Sequence, residues 1–333
     1  MAFQHLHASH CESGVMSSLL RHHGLALSEP MAFGLASALA FAYLPFIRLN
    51  GLPLIAYRMP PGAIVRALDR SLELGVRFET FRSRAAGMAR LDALLGEGKV
   101  VGLQTSIYWL PYIPPDLRFH FNAHNLLVYG REGDEYLVSD PVAEMPVRCA
   151  RQDLEKARFA TGVLAPKGRL YYLTRAPLPG DWARLAQRAL ARTAHVMLHT
   201  PLPLVGVRGI RWLARAVERL SRAEDEARAL LYVGHIVRMQ EEIGTGGAGF
   251  RFMYGAFLQE LAARTGYGAL EAHAGRLVEI GDDWQQFAFA AAKMIKRRIA
   301  FEPPALAARL RDIAAREQRF FHDLNKARLA WAA

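Results

Sequence analysis

The sequence predicts an α+β domain with an antiparallel sheet, followed by an all-α helical domain. Short β-rich runs occur only before about residue 174, and helical spacing of apolar residues dominates after residue 180. The stretch between them, Arg175-Ala-Pro-Leu-Pro-Gly180, has the composition of a linker. With 333 residues, two domains are the usual expectation. We therefore predict domains at residues 1–176 and 177–333.

In the first half, apolar spacing predicts a helix over residues 11–23. Four runs of Val, Leu, Ile and Tyr, bounded by Gly, Asp or Pro, have the length and composition of strands. Gly130-Arg-Glu-Gly-Asp134 predicts a hairpin turn, and Asp140-Pro141 predicts the turn that ends the second strand of that hairpin. The four predicted strands are 100–108, 125–129, 136–139 and 170–173.

Helical spacing covers most of the second half, and plausible caps such as Gly266 and Gly268 separate the stretches. The longest apolar run, residues 31–47, contains Ser37, Tyr43 and Pro45. It falls short of the ~18 uninterrupted apolar residues of a membrane span. We interpret it as a buried helix and turn, and expect no integral membrane span. The predicted helices are 183–198, 207–237, 250–265, 270–300 and 304–331.

The composition, 52% hydrophobic and 22% charged, is that of a globular protein rather than a disordered or fibrous one. The net charge of +11 suits nucleic acid, an anionic membrane surface or an acidic protein. No nucleic-acid-binding motif is visible, so a solvated basic surface and an acidic protein partner remain as readings. The start of the sequence lacks the pattern of a secretory signal. This lack of a signal pattern, together with the presence of only two cysteines, leads us to expect a cytoplasmic protein with free thiols.

Cys11 is placed at the start of the first predicted helix. A helix N-terminus offers unpaired N–H groups and partial positive charge, which favour a thiolate and can bind an oxyanion. The alternative is a small buried side chain, the commonest fate of a free cysteine. Position alone leaves both readings open.

His124 begins one predicted strand, and Asp140 follows the antiparallel strand that returns from the hairpin. The two side chains should therefore lie side by side across the ladder. The carboxylate would orient the imidazole while its other nitrogen faces the thiol of Cys11. The alternative is a cross-strand polar pair at the end of a sheet. We predict a catalytic triad of Cys11, His124 and Asp140.

Several segments resemble the butirosin-biosynthesis H-type N-terminal domain, a family similar in fold to papain-like and C39 peptidases. They are His10-Cys-Glu-Ser-Gly14 with the Leu-Leu and Gly24 that follow, Ser28-Glu29 with Phe33-Gly34, and the histidine and aspartate segments at residues 123–130 and 138–141. The helical half resembles the domain that commonly follows in this family. There the matching residues are 240–254 and 257–260.

The resemblance implies an N-acyltransferase used in specialised-metabolite or lipid biosynthesis. Its donor would be the phosphopantetheine thioester of an acyl carrier protein, and its acceptor a small amine. By this analogy Cys11 forms the acyl-enzyme, His124 takes the thiol proton and later deprotonates the incoming amine, and Asp140 orients His124. The glutamine that papain-like enzymes often place six residues before the cysteine is absent, since His5 stands there and Gln4 stands one residue earlier. The second oxyanion donor is therefore not identified.

Other groups have plainer readings. Cys149 has no helix start or histidine beside it and is predicted to be structural. The histidines near Cys11 lack metal-ligand spacing, so no metal site is predicted. The segment Thr245-Gly246-Gly247-Ala-Gly-Phe-Arg251 forms either a tight turn between packed helices or part of a substrate channel, with Thr245, Gly246, Gly247 and Arg251 as contacts.

Two further functional classes remain open. The same triad would serve a cysteine peptidase or amidohydrolase, in which water replaces the amine. A non-catalytic scaffold is the other alternative, which the three intact side chains argue against. The long amphipathic helices could form either a homodimer face or the core of the domain itself.

Overall fold

The computed structural model describes residues 3–49, 51–177, 180–222 and 225–332. Two residues of the predicted linker, Leu178 and Pro179, lie outside these ranges. Within the described ranges, no helix combines the length and the apolarity that crossing a membrane requires. The chain forms two compact units. The first comprises Met1–Ala32 and Pro61–Gly180, and the second Phe33–Pro60 and Asp181–Ala333.

The first unit is built on a six-stranded sheet in which all neighbouring strands are antiparallel. The strand predicted over residues 170–173 pairs between two strands that come earlier in the chain. The mixed α+β class predicted for this region is confirmed. In order across the sheet, the strands are β3 (Arg77–Glu79), β8 (Leu170–Tyr172), β4 (Val101–Thr105), β5 (His124–Glu132), β6 (Glu135–Ser139) and β7 (Val147–Ala150).

The apolar side chains of the central strands alternate, as period-two strands require, and one face packs on helices. Leu103, Leu126 and Val138 share a buried cluster with Leu91 of one helix and Leu154 of another. Burial of this cluster stabilises the sheet on which the polar site is built. The helices of the unit are α1 (Cys11–His22), α2 (Glu29–Leu35, whose C-terminal residues belong to the second unit), α3 (Ala63–Leu72), α4 (Arg84–Gly96) and α5 (Arg151–Arg158).

The predicted hairpin is confirmed, with a two-residue turn, Gly133-Asp134, between β5 and β6. Gly133 has a φ of +60°, which glycine adopts without a steric penalty. The register pairs Leu127 with Ser139, so His124 and Asp140 both lie at the same end of the hairpin.

The second unit is mainly helical, as predicted. Its helices form because apolar residues recur at helical spacing: α10, for example, buries Leu277, Ile280 and Trp284 on one side. The stretch predicted as one helix over 207–237 is two helices, α7 and α8, in the structure. The helices are α6 (Trp182–His199), α7 (Gly206–Arg219), α8 (Glu226–Glu241), α9 (Arg251–Thr265), α10 (Ala269–Ile295) and α11 (Pro303–Ala332).

The interpretation of residues 31–47 as a buried helix and turn is wrong beyond Leu35. Residues Leu39–Leu49 form strand β1, which pairs antiparallel with β2, Leu52–Arg58. A continuous apolar run does not distinguish a buried strand from a buried helix. This hairpin lies in the second unit with the helices, so the compact units differ from the two continuous domains predicted at 1–176 and 177–333.

Candidate active site

Cys11 is the first residue of α1, a twelve-residue helix, and its exposed fraction is 7%. His10 precedes it in an extended conformation and caps the helix, because its Nδ1 accepts the N–H of Ser13 at 3.3 Å. The first-turn amides of a helix have no acceptor within the helix, and the partial positive charge there stabilises an anion. Cys11 therefore occupies the position that its proposed chemistry requires.

The structure brings His124 and Asp140 to Cys11. His124 Nε2 is 2.7 Å from Asp140 Oδ2. The Cys11 thiol is near enough to the imidazole to influence its pKa. Because Nε2 is engaged by the carboxylate, Nδ1 is the nitrogen left for the thiol. The exposed fractions of His124 and Asp140 are 3% and 0%. A buried thiol, imidazole and carboxylate in sequence form the geometry of an activated nucleophile.

The charges of this cluster favour a protonated imidazole. Burial alone lowers the pKa of His124, but the Asp140 carboxylate and the Cys11 thiol outweigh it and raise the pKa to about 10. The imidazolium therefore persists at neutral pH. A positive charge next to a cysteine favours the thiolate, which is the nucleophilic form.

The segment before Cys11 is held by Glu29. One carboxylate oxygen of Glu29 accepts the backbone N–H of His10 at 2.7 Å and the Ser13 hydroxyl at 3.1 Å, and the other accepts the N–H of Ser9 at 2.9 Å. Burial raises the pKa of Glu29, and these donors oppose that shift. In the sequence, Glu29 stands out only as part of the Ser-Glu pair of the family resemblance. Its contacts show that it fixes the backbone that leads into Cys11.

A close approach also joins α1 to the turn after Asp140. A Cβ on Gly14 would lie 2.6 Å from the Cβ of Ala8 and 2.7 Å from that of Pro141. The N–H of Ala8 donates to the carbonyl of Pro141 at 2.7 Å. Glycine at position 14 is thus required for the helix that carries Cys11 to reach the turn that carries Asp140.

His5 and Gln4, which stand near the position of the missing glutamine, are not arranged as oxyanion donors. His5 places one ring nitrogen 2.7 Å from the Ser139 hydroxyl and the other 3.0 Å from the Ala143 carbonyl, so both are already used. Gln4 is exposed. The first-turn amides of α1 remain the candidate oxyanion donors.

Cys149 lies in β7, opposite Tyr136, in the same apolar cluster as the sheet core. Burial raises the pKa of this thiol to about 12, because the charged form loses its hydration, with Asp153 and Glu135 adding repulsion. A thiol in these surroundings is a packing residue. In the described ranges of the chain, no three His, Cys, Asp or Glu side chains come together as a metal site.

The glycine-rich turn does not present an open anion site. Backbone φ is positive at Gly246, Gly247 and Ala248, and the N–H of Ala248 donates to both carboxylate oxygens of Glu241 at 3.2 Å. Thr245 is buried and donates to the carbonyl of Gln240 at 2.6 Å. Because the anion at this turn is the chain's own Glu241, the structure favours a tight turn between helices over a substrate channel.

Arg251, predicted as a contact of a possible substrate channel, is buried and paired with other groups of the helical unit. Its Nε and Nη2 donate to Glu317 at 2.9 and 3.1 Å, and Nη1 donates to the carbonyl of Gly249 at 2.7 Å. Trp284 Nε1 donates to Glu317 at 2.7 Å, and the guanidinium lies 5.2 Å from the Trp284 ring. A buried ion pair with this number of partners is a structural element.

Comparisons with known proteins found two family models and a solved structure that match parts of the chain. The family model described as "Butirosin biosynthesis protein H, N-terminal" matches residues 10–141, which contain Cys11, His124 and Asp140. The model described as "Domain of unknown function (DUF4872)" matches residues 152–324. Among curated proteins, none matches the chain. Among solved structures, a C39-like peptidase from Bacillus anthracis matches at 14% identity and a TM-score of 0.38, over 52% of this chain and 96% of its own.

The match to the butirosin model contains the cysteine, the histidine and the aspartate of the candidate site. The DUF4872 model covers more than half of the 333 residues, and the N-terminal domain precedes it along the chain. The chain therefore belongs to the DUF4872 family, and residues 10–141, ahead of that domain, are similar to the butirosin biosynthesis protein H N-terminal model.

Proposed function

We propose that this protein is a cysteine-dependent N-acyltransferase that accepts an acyl group from the phosphopantetheine thioester of an acyl carrier protein. The observation that carries the proposal is the buried line from Cys11 through His124 to Asp140, in a domain matched by the butirosin family model. Cys11, His124 and Asp140 are the proposed catalytic residues.

In the first half of the reaction, the Cys11 thiolate attacks the thioester carbonyl and forms a new S–C bond. The first-turn amides of α1 stabilise the tetrahedral oxyanion. The bond to the pantetheine sulfur then breaks, and the His124 imidazolium gives its proton to the leaving thiolate. The products of this half are acyl-Cys11, a neutral His124 and a free carrier thiol.

In the second half, an amine attacks the acyl carbonyl, and neutral His124 takes the proton that the amine nitrogen loses. The bond to the Cys11 sulfur breaks, the amide leaves, and the thiolate and imidazolium are restored. If water attacks instead, the same site is a peptidase or amidohydrolase. The acceptor is thus what separates the two functions.

A cleft in the first unit supports a phosphate-bearing donor. It has a volume of about 490 Å³, and its lining includes the rings of Phe81 and Phe159 and the cations Arg82 and Lys167. Its loop is held near the site, since the side-chain amide of Asn122 donates to the carbonyls of residues 161 and 163. Asn122 lies two residues before His124, at most about 7 Å along extended chain. The cations suit a phosphate, and the rings suit the apolar part of pantetheine.

Intact-protein mass spectrometry tests the proposal. Wild type, Cys11→Ala and Cys149→Ala are incubated with acyl carrier proteins, acyl-phosphopantetheine and acyl-pantetheine. We expect the acyl mass increment in wild type and Cys149→Ala, absence of the increment in Cys11→Ala, and transfer to an added amine. Absence of an adduct with every thioester, or an adduct that survives in Cys11→Ala, would overturn the assignment.

The role of the cleft has a separate test. Exchanging Arg82 and Lys167 for serine should raise the KM for acyl-phosphopantetheine about tenfold and leave the KM for acyl-pantetheine unchanged. Only acyl-phosphopantetheine has a phosphate that the two cations can bind. The matched control removes the same charge from Arg70 and Lys156 of the same unit. Equal effects of the two double variants would show that net charge, and not the cleft, is responsible.

A further inference from the structure

The buried Asp140 carboxylate has three hydrogen-bond donors, two of them on one oxygen. Oδ2 accepts from His124 Nε2 at 2.7 Å and from the Tyr112 hydroxyl at 2.8 Å, and Oδ1 accepts the N–H of Val142 at 3.2 Å. Each donor spreads and stabilises the negative charge. The Tyr112 hydroxyl therefore competes with His124 for the charge of the same oxygen.

Tyr112 comes from the connection between β4 and β5, which carries no regular strand or long helix. Tyr112 is partly buried, and burial together with the nearby Asp140 raises the pKa of its hydroxyl well above the usual range. The hydroxyl therefore keeps its proton at neutral pH and is a donor to Asp140.

We propose that Tyr112 is a positioning residue that holds Asp140 and limits how strongly Asp140 binds the imidazolium of His124. The proposal deepens the proposed acyl transfer and rests on it for its kinetic consequence. His124 must be an imidazolium when the carrier thiol leaves, and neutral when the amine is deprotonated. A carboxylate without the Tyr112 donor would favour the imidazolium and delay the second half.

Tyr112→Phe tests this, because it keeps the ring and removes only the hydroxyl. Acylation of Cys11 should keep its wild-type rate, while aminolysis of acyl-Cys11 at pH 7.5 falls about tenfold and its alkaline optimum moves up by about one pH unit. Acyl-enzyme should then accumulate in the mass spectrum. By proton NMR, the His124 Nε2–H resonance should move downfield, since its bond to Asp140 becomes stronger.

The matched control is Tyr136→Phe. Tyr136 is buried and also donates to a carboxylate, Asp92 Oδ1 at 2.6 Å, outside the triad. The Tyr136→Phe variant should lose a similar amount of unfolding free energy without changing the pH profile of aminolysis or the His124 resonance. If Tyr112→Phe behaves like Tyr136→Phe in both readouts, Tyr112 is only structural and the proposal is overturned.

The NMR readout needs no substrate, which separates the two proposals. A downfield shift in Tyr112→Phe, in a protein that no thioester acylates, would support the role of Tyr112 and remove the acyl transfer function. Should Tyr112→Phe not fold, 3-fluorotyrosine at position 112 supplies a stronger donor. It should move the resonance upfield and speed aminolysis, and an unchanged resonance would overturn the proposal.

Discussion

Each unit of the protein buries a cluster of charged side chains, and the two clusters differ in where their hydrogen bonds lead. In the helical unit, Arg251 and Glu317 bond one another, and Trp284 and the Gly249 carbonyl take further positions. In the first unit, Asp140 and His124 lead to a thiol at a helix start. In the first arrangement the charged groups bond only one another and their neighbours, whereas the second leads to the proposed nucleophile. Burial of charge alone therefore does not identify a reactive site.

The two clusters should differ most in what a substitution removes. A substitution in the first unit should remove reactivity, and one in the helical unit should remove stability. Cys11→Ala should reduce acyl-enzyme formation at least about a thousandfold with little change in unfolding free energy. Arg251→Met should lower that free energy by about 3–5 kcal/mol, because Glu317 keeps an unpaired buried charge, yet keep thiol reactivity per folded molecule. Urea unfolding and thiol labelling measure both. A stable, unreactive Arg251→Met would place Arg251 in the active site and break the comparison.

The raised pKa of His124 should appear in the pH dependence of stability. Below about pH 6.5 both folded and unfolded chains hold the proton, and the contribution is fully present. Between about 6.5 and 10 only the folded chain holds it, so the unfolding free energy should fall by up to about 1.4 kcal/mol per pH unit. Urea unfolding of wild type and His124→Gln at pH 6, 8 and 10 tests this, and equal slopes would contradict it.

Gly14→Ala should damage both stability and reactivity, because the new methyl group would overlap Ala8 and Pro141. Overpacking of this kind costs about 1–3 kcal/mol, and here it also separates Cys11 from the turn of Asp140. Thermal unfolding and the rate of thiol alkylation would be measured together. Gly96→Ala is the control, since Gly96 ends α4 in open space and its substitution should be neutral or slightly stabilising.

A smaller effect is expected at Glu29. Glu29→Gln keeps one acceptor and loses the other, so the backbone before Cys11 should loosen and alkylation at pH 7.5 should slow by about threefold to tenfold. In wild type, protonation of Glu29 should slow the alkylation of Cys11 as the pH falls. The decrease should begin at a higher pH than the titration of an ordinary glutamate, because burial raises the pKa of Glu29. The glutamine variant should lack that limb. Its persistence would assign the limb to another group.

The core of the site was predictable because each member has a local sequence signal. Cys11 precedes an apolar helix, His124 opens a strand, and Asp140-Pro141 closes the next one, so the hairpin fixes two members by register. Tyr112 had no such signal, because it reaches Asp140 from an irregular connection whose path depends on tertiary packing. The contacts of Glu29 were likewise invisible, although its presence beside Ser28 was noted.

Two further points that the sequence does not decide also have physical causes. Residues 39–49 form a strand within a continuous apolar run, which fits either type of element, and tertiary pairing with β2 decides. For Thr245, Gly246, Gly247 and Arg251, the sequence leaves a tight turn and a substrate channel as alternatives, because glycine-rich turns can also bind anions. The sequence does not reveal that Glu241, in the preceding helix, supplies the anion.

The anion-binding position of the glycine-rich turn is therefore already occupied by the Glu241 carboxylate of the same chain. If Glu241 were replaced by glycine, the amide of Ala248 would lose both carboxylate contacts and the vacated space would have the shape of a short carboxylic acid. Acetate or formate supplied from solution would then restore the missing interaction by mass action. The melting temperature of the helical unit would then depend on the anion of the buffer, which is a form of chemical rescue.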